Sequence, residues 1–252
     1  MTKAAELAKM GEVLTNSQIG GRRNMVINGA MQVAQRGTSF TSTADLYTLD
    51  RFAIGHGTVN AVTVTQETDA PSGFQYSLKV LTGTGASSGA AGYGVLRQAI
   101  EGTNMYQLKF GTSDAESVTL SFYVKGNAAA TYGVEIYDLD NTRHICSTFN
   151  VTTSWNRISI TFDGDTTGAI NDDNGGGFQV GIYLHAGSDY NSGTLSTSWA
   201  SITTANRTSS SNTSFFDSTS RTFFITGVQL EVGSTATDFE HRSFGEEHLL
   251  CQ

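Results

Sequence analysis

Five histidines, two cysteines and a scatter of carboxylates are the residues of this 252-residue chain whose chemistry could be catalytic or metal-binding. His56, His144, His185, His241 and His248 show no spacing such as His-Glu-x-x-His, which would set two imidazoles on one helix face. Cys146 and Cys251 are too few for a disulfide framework or a metal knuckle. Serines abound, yet no Gly-x-Ser-x-Gly elbow stands between a strand and a helix. Glu135 and Asp138 are the acids that could be imagined facing each other across a groove for glycoside hydrolysis, although any β protein offers such pairs by chance. Asp163-x-Asp165-x-Thr167-Gly168 opens like a helix-flanked calcium loop, but its twelfth position is Asn174 instead of a bidentate glutamate, and no helical pattern flanks it. A solvated turn is the expectation there. The residues therefore predict no enzyme, no catalytic residue and no metal or cofactor, with a structural calcium on backbone carbonyls left open.

Sugar binding is the sharper expectation. Sugars are held by aromatic rings on their C–H faces, with polar groups placed to meet their hydroxyls. Tyr190 and Asn191 fall in the polar turn HAGSDYNSG, and Trp199 falls in STSWAS, both outside clear core alternation. These three residues are the candidate carbohydrate contacts, and filling a subunit interface is the competing use for the two rings. Trp155 opens an alternating strand and reads as packing.

The elements that must carry these residues follow from composition. Charged residues are 15% of the chain, Ser and Thr together number 60, and there are 28 glycines and one proline. That balance suits short strands and tight turns. The formal charge of −8 argues against a nucleic-acid partner bound by charge, and no apolar run is long enough to span a membrane. Leu7, Met10 and Leu14 recur at helical spacing in the first fourteen residues, before a Gly20-Gly21 hinge. Such a short helix needs a surface to pack on: its own domain, sister copies or another protein.

From Asn24 the period becomes two. Alternation marks strands at 117–125, 134–137 and 155–162, with further candidates at 25–33, 51–54, 58–66, 75–81, 93–100, 143–150, 178–185 and 221–232. The alternation slips phase at Gly227, which predicts a bulge. Residues 163–177 and 201–220 read as loops, the second long enough to be either functional or pinned by a neighbour. The expected fold is all-β, an antiparallel β-sandwich (jelly roll) spanning 24–235. A helix and hinge at 1–23 precede it as an attachment segment, and a C-terminal tail at 236–252 follows it. The tail is expected to carry a short helix from Glu246 and to pack on its own sandwich or a sister subunit, with Arg242 pairing a carboxylate.

NMVINGAMQVAQRGTSF (Asn24–Phe40), the YTLDRFAI segment (Tyr47–Ile54), ESVTLSFYVKG (Glu116–Gly126) and TTSWNRISITF (Thr152–Phe162) resemble a domain common in tailed-phage tail-fibre and virion structural proteins. FFITGVQLEVGSTATDFEHRSFGEEHLLCQ (Phe223–Gln252) resembles the terminal stretch of those proteins. The resemblance implies a jelly roll like that of carbohydrate-binding modules, a homotrimer, and a place in the virion on tail or capsid surface. The expected function is a tail-fibre-type appendage that recognises host-surface glycan. A capsid decoration (cement) protein is the alternative within the virion, and a polysaccharide depolymerase the alternative of another class. Leu7, Met10, Leu14, Phe239 and Phe244 are the expected oligomer or docking contacts, with other virion proteins as partners.

Overall fold

A computed structural model describes residues 3–4, 22–57, 59–83 and 89–252. Among these, two antiparallel sheets pack face to face. The strands are β1 (Ser39–Ser42), β2 (Leu46–Tyr47), β3 (Ala53–Gly57), β4 (Val62–Glu67), β5 (Ser77–Thr82), β6 (Tyr93–Glu101), β7 (Val118–Gly126), β8 (Ala130–Asp138), β9 (Arg143–Val151), β10 (Asn156–Phe162), β11 (Gly176–Ala186), β12 (Ala200–Ser201) and β13 (Thr222–Val232). One sheet runs β1-β4-β5-β13-β7-β10 and the other β12-β9-β8-β11-β6-β3-β2. The fold is the expected sandwich, a jelly roll with a short helix near the C-terminus (Phe244–Leu250). Leu7, Met10 and Leu14 lie outside the described residues.

Period-two burial explains the packing. Leu120, Phe122 and Val124 of β7 point inward to meet Val134 and Ile136 of β8 and Ile182 of β11, all buried. Edge-to-face rings tie the sheets together, Phe122 on Phe149 at 5.0 Å and Tyr132 on Phe223 at 5.7 Å.

Residues 25–33 correct the strand expectation. They are buried but form bends and turns, with Asn28 and Met31 in the left-handed region at φ 59° and 57°. Asparagine side chains do the bonding a ladder would do: Asn24 Nδ2 donates to Val228 O (3.0 Å), and Asn28 Nδ2 donates to Val33 O (2.9 Å) and Asp50 O (3.0 Å). The segment thus lies beside the second half of β13, where Met25 N donates to Leu230 O at 2.9 Å.

The β13 bulge falls where the phase slips. The register to β7 shifts between Thr226 and Gln229, and Gly227 has φ +62°. A methyl at Gly227 would stand 2.6 Å from the Phe74 ring and 3.0 Å from Tyr123. Gly227→Ala is therefore expected to lower unfolding stability by about 1–3 kcal/mol, from backbone strain and overpacking together. Urea denaturation checks it, and an unchanged midpoint would remove the bulge's need for glycine.

The tail packs on its own sandwich. Glu240 accepts from Arg23 N (3.0 Å) and Asn24 N (2.9 Å), and burial's upward push on its pKa is outweighed by these N–H groups and Arg242. Arg242 pairs Glu240 at 2.8 Å and Glu247 at 3.4 Å, and donates to Asn24 O. The helix begins at Phe244, capped by Ser243. Phe239, expected at an oligomer interface, packs within the chain on Phe74 (5.0 Å) and His241 (4.9 Å). Phe244 is 60% exposed and stacks on its own His248.

Candidate functional site

The loop at 163–177 is where the structure makes a surface feature. It is not a solvated turn throughout: Asp165 is buried and takes Arg143 Nε at 2.5 Å and Nη2 at 3.1 Å. The Arg143 guanidinium thus bonds both Asp165 carboxylate oxygens. The rest of the loop is laced to its neighbours, with Gly102 N donating to Gly175 O (3.0 Å), Thr103 N to Asp173 O (3.0 Å), and Asn171 N and Nδ2 to the Asp140 carboxylate (2.9 and 3.0 Å). A loop held by this many bonds presents fixed walls.

Two clefts open against it. One, about 450 Å³, is floored by Met105, Phe110 and Ile170 and rimmed by Gln107, Lys109, Thr112 and Asp172. Tyr106 stands in its wall with 82% of its surface exposed, on a single 3-10 turn (Tyr106–Leu108) whose Leu108 is buried. The second, about 310 Å³, is lined by Arg36, Tyr47, Asp50, Arg51, Glu101, Asn174 and Cys251 among others. Tyr47 is 55% exposed, and the Arg36 guanidinium lies 5.3 Å from its ring centre. Arg51, at φ 71°, pairs with Glu101. Burial, with Asp50 and Glu247 near, pushes the Cys251 thiol up to about 12, so it is no nucleophile at neutral pH.

The three sugar-contact candidates are not brought together by the structure. Trp199 stacks on Phe178 (5.9 Å), meets Phe110 edge-on (5.6 Å) and donates Nε1–H to Asp163 O at 2.6 Å. It therefore backs the floor of the Tyr106 groove from behind. Tyr190 is half-buried against Tyr93 (5.1 Å) and Tyr183 (6.5 Å), a different set of rings, and Asn191 Nδ2 donates to Ala186 O at 2.8 Å. Trp155, read as packing, lies on the outer face of its sheet, edge-on to Phe224 at 6.2 Å and under the Lys125 ammonium at 5.3 Å. Tyr106 and Tyr47, the exposed tyrosines of the two clefts, are not among the sequence candidates. The sequence signal for Tyr106 is its place in NMYQLKF, between Met105 and Leu108, whose i,i+3 spacing turns it outward.

A second polar cluster lies under the 188–216 segment on the outer face of the β8–β9 pair, where the register sets Glu135 opposite Cys146. Glu135 accepts from His144 Nδ1 (2.8 Å), Tyr183 Oη (3.3 Å) and Arg207 (Nη2, 2.6 Å; Nε, 3.0 Å). Burial alone would raise its pKa, but His144 and Arg207 outweigh it and hold the carboxyl below its ordinary value. Cys146 Sγ lies 3.6 Å from the same His144 Nδ1, and burial with the Glu135 charge pushes its thiol far up. Cys146 and Glu135 compete for one ring nitrogen, so His144 cannot relay a proton between them as a triad would. Glu135, His144 and Cys146 have donor atoms within 4.8 Å of one another, the spacing of a metal site, but Arg207 spans both Glu135 oxygens. The cluster reads as a buried structural plug built around the Glu135–Arg207 ion pair. Asp138, the other acid considered for hydrolysis, caps the β8–β9 turn by accepting Asp140 N and Asn141 N, both at 3.0 Å.

No family model matches this sequence, and no curated protein matches it. Among solved structures, the chain is similar to the enzymatically active domain of bacteriophage CBA120 tailspike protein 4, at 15% identity and TM-score 0.43. That likeness covers 83% of this chain and 21% of the other, so the chain spans about a fifth of that domain's length. It is also similar to a carbohydrate-binding module in complex with β-1,4-galactotriose (9% identity, TM-score 0.40, 84% of this chain and 99% of that one). A third similar structure is the CBM22-1 xylan-binding domain of Paenibacillus barcinonensis Xyn10C (12% identity, TM-score 0.39, 84% and 96%).

Proposed function

We propose that this chain is a non-catalytic glycan-binding protein of the phage virion, a tail-fibre-type appendage that engages the host surface through the Tyr106 groove. The observation that carries the glycan reading is an exposed tyrosine ring beside an apolar floor with amide, hydroxyl, ammonium and carboxylate groups on the rim. A sugar ring has the same division, an apolar C–H face and a polar edge, and it matches such a groove without chemistry being done on it. The place in the virion rests on the resemblance carried by Asn24–Phe40, Glu116–Gly126 and Phe223–Gln252. A homotrimer would present three such grooves and turn weak single contacts into firm attachment.

Tyr106→Ala is expected to weaken binding to host-surface polysaccharide by about tenfold or more, equal to about 1.4 kcal/mol, while leaving the melting temperature unchanged. The ring is too exposed to matter for folding. Calorimetry with purified polysaccharide and a thermal melt check both halves. Full affinity in the variant would end the Tyr106 reading, and shortened polysaccharide chains after incubation would end the non-catalytic one.

A further inference from the structure

The two clefts share a wall. Ile170 and Asp172 line the Tyr106 groove, while Asn174 and Gly176 line the Tyr47 cleft, so residues 170–176 form a ridge with an exposed tyrosine on each side. The ridge is rigid, tied to β6 and its following turn by the Gly102–Gly175 and Thr103–Asp173 bonds. A ligand confined to one cleft would leave the other exposed ring without a use.

The charges around the ridge decide the kind of ligand. Arg51 is spent on Glu101 and Lys109 on Glu116 (2.7 Å), while Asp50 takes the Gln35 amide groups at 2.7 and 2.9 Å. Asp172 and Asp173 are exposed, and neither is in an ion pair among the described residues. Arg36 is the one cation of either cleft without a carboxylate partner among the described residues. Exposed carboxylates thus outnumber free cations, on a chain of net charge −8. An acidic polymer meets like charge here, whereas neutral sugar hydroxyls can donate to Asp172 and Asp173 and accept from Arg36.

We infer that one uncharged oligosaccharide, longer than a disaccharide, lies across the 170–176 ridge with Tyr106 stacking on one sugar ring and Tyr47 on another. This rests on the glycan reading of the Tyr106 groove and extends it to chain length and charge class. Occupying both clefts also explains the fixed ridge, since a pre-formed saddle loses little freedom when a chain settles on it.

The test uses the full chain and an array of purified bacterial surface oligosaccharides, two to six units long, some neutral and some bearing hexuronate. The tightest neutral and acidic members are carried into calorimetry. Tyr47→Ala is expected to weaken the six-unit neutral ligand about tenfold and to leave the two-unit ligand unaffected, whereas Tyr106→Ala weakens both. The acidic six-unit ligand is expected to bind about tenfold more weakly than the neutral one at low salt, with the gap narrowing as salt rises. A Tyr47→Ala variant with full six-unit affinity, or an acidic ligand bound equally well, overturns the ridge-spanning proposal while leaving the groove reading standing if Tyr106→Ala still matters. Loss through Tyr47 without any effect of Tyr106 overturns both the spanning ligand and the groove reading. Absence of binding to every member also overturns both.

Discussion

Arg207→Ala is expected to destabilise the fold by about 3–5 kcal/mol, because it strands a fully buried carboxylate. Glu135 has no exposed side-chain surface, and Arg207 meets it with two guanidinium nitrogens while lying over the Tyr137 and Tyr183 rings at 5.3 and 5.5 Å. Removing the guanidinium leaves only the His144 and Tyr183 bonds to hold the charge. Urea unfolding measures the loss, and a change under about 1 kcal/mol, the range of surface pairs, would show that the cluster is solvated in solution. The Glu135→Gln/Arg207→Ala double variant is expected to recover part of the stability, since an amide needs no counter-charge. The pH dependence has a definite sign. The folded-state pKa of Glu135 is lowered from 4.5, so its contribution is fully present above 4.5 and is lost as pH falls from there through the folded value. Wild type should therefore lose more stability than Glu135→Gln across that acid window.

Truncation after Val232 is expected to remove most of the stability of the domain. Glu240, Arg242 and Glu247 together bond the backbone of Arg23, Asn24, Val26 and Asn28, and Thr237 donates its hydroxyl to buried Glu231 at 2.6 Å. Several hydrogen bonds at about 1 kcal/mol each, among them both Thr237 bonds to buried Glu231, are a large share of the about 5–15 kcal/mol that holds a typical domain. The truncated chain should be largely unfolded or aggregated by circular dichroism, and Arg242→Ala, with the chain length kept, should fold with a clearly lower melting temperature. If truncated and full chains melt alike, the tail is an ornament. If strands persist but assembly is lost, the tail serves the subunit interface instead.

Strands such as β4, β5 and the later half of β7 were legible because their burial alternates. Val118, Leu120, Phe122 and Val124 alternate with less buried residues late in β7, and the phase slip at Gly227 was readable as a bulge without any knowledge of its partner strand. Residues 25–33 were misread because apolar density alone cannot separate a strand from a buried turn whose ladder is replaced by asparagine side chains. The exposure of aromatic residues is hard to read for a related reason. Trp199 sits in a hydroxyl-rich loop and looks exposed, but Phe110 and Phe178, far away in sequence, cover it. Tyr106 sits among apolar neighbours and looks buried, yet a single turn of 3-10 helix swings it out. Which aromatic faces solvent is a tertiary fact, and period counting does not reach it.

β13 follows every other described strand in chain order, yet it lies between β5 and β7 in the middle of its sheet. Until it arrives, β4 and β5 are a hairpin with one open edge, and β7 and β10 are a second pair with another. The nascent chain therefore cannot consolidate this sheet piecemeal from its beginning. Assembly waits for residues 222–232 and then closes in one cooperative step, a topology rich in distant pairings that folds slowly. Two unpaired strand edges stay available to neighbouring nascent chains during that interval, so yield and solubility on expression depend on how quickly the last strand is delivered.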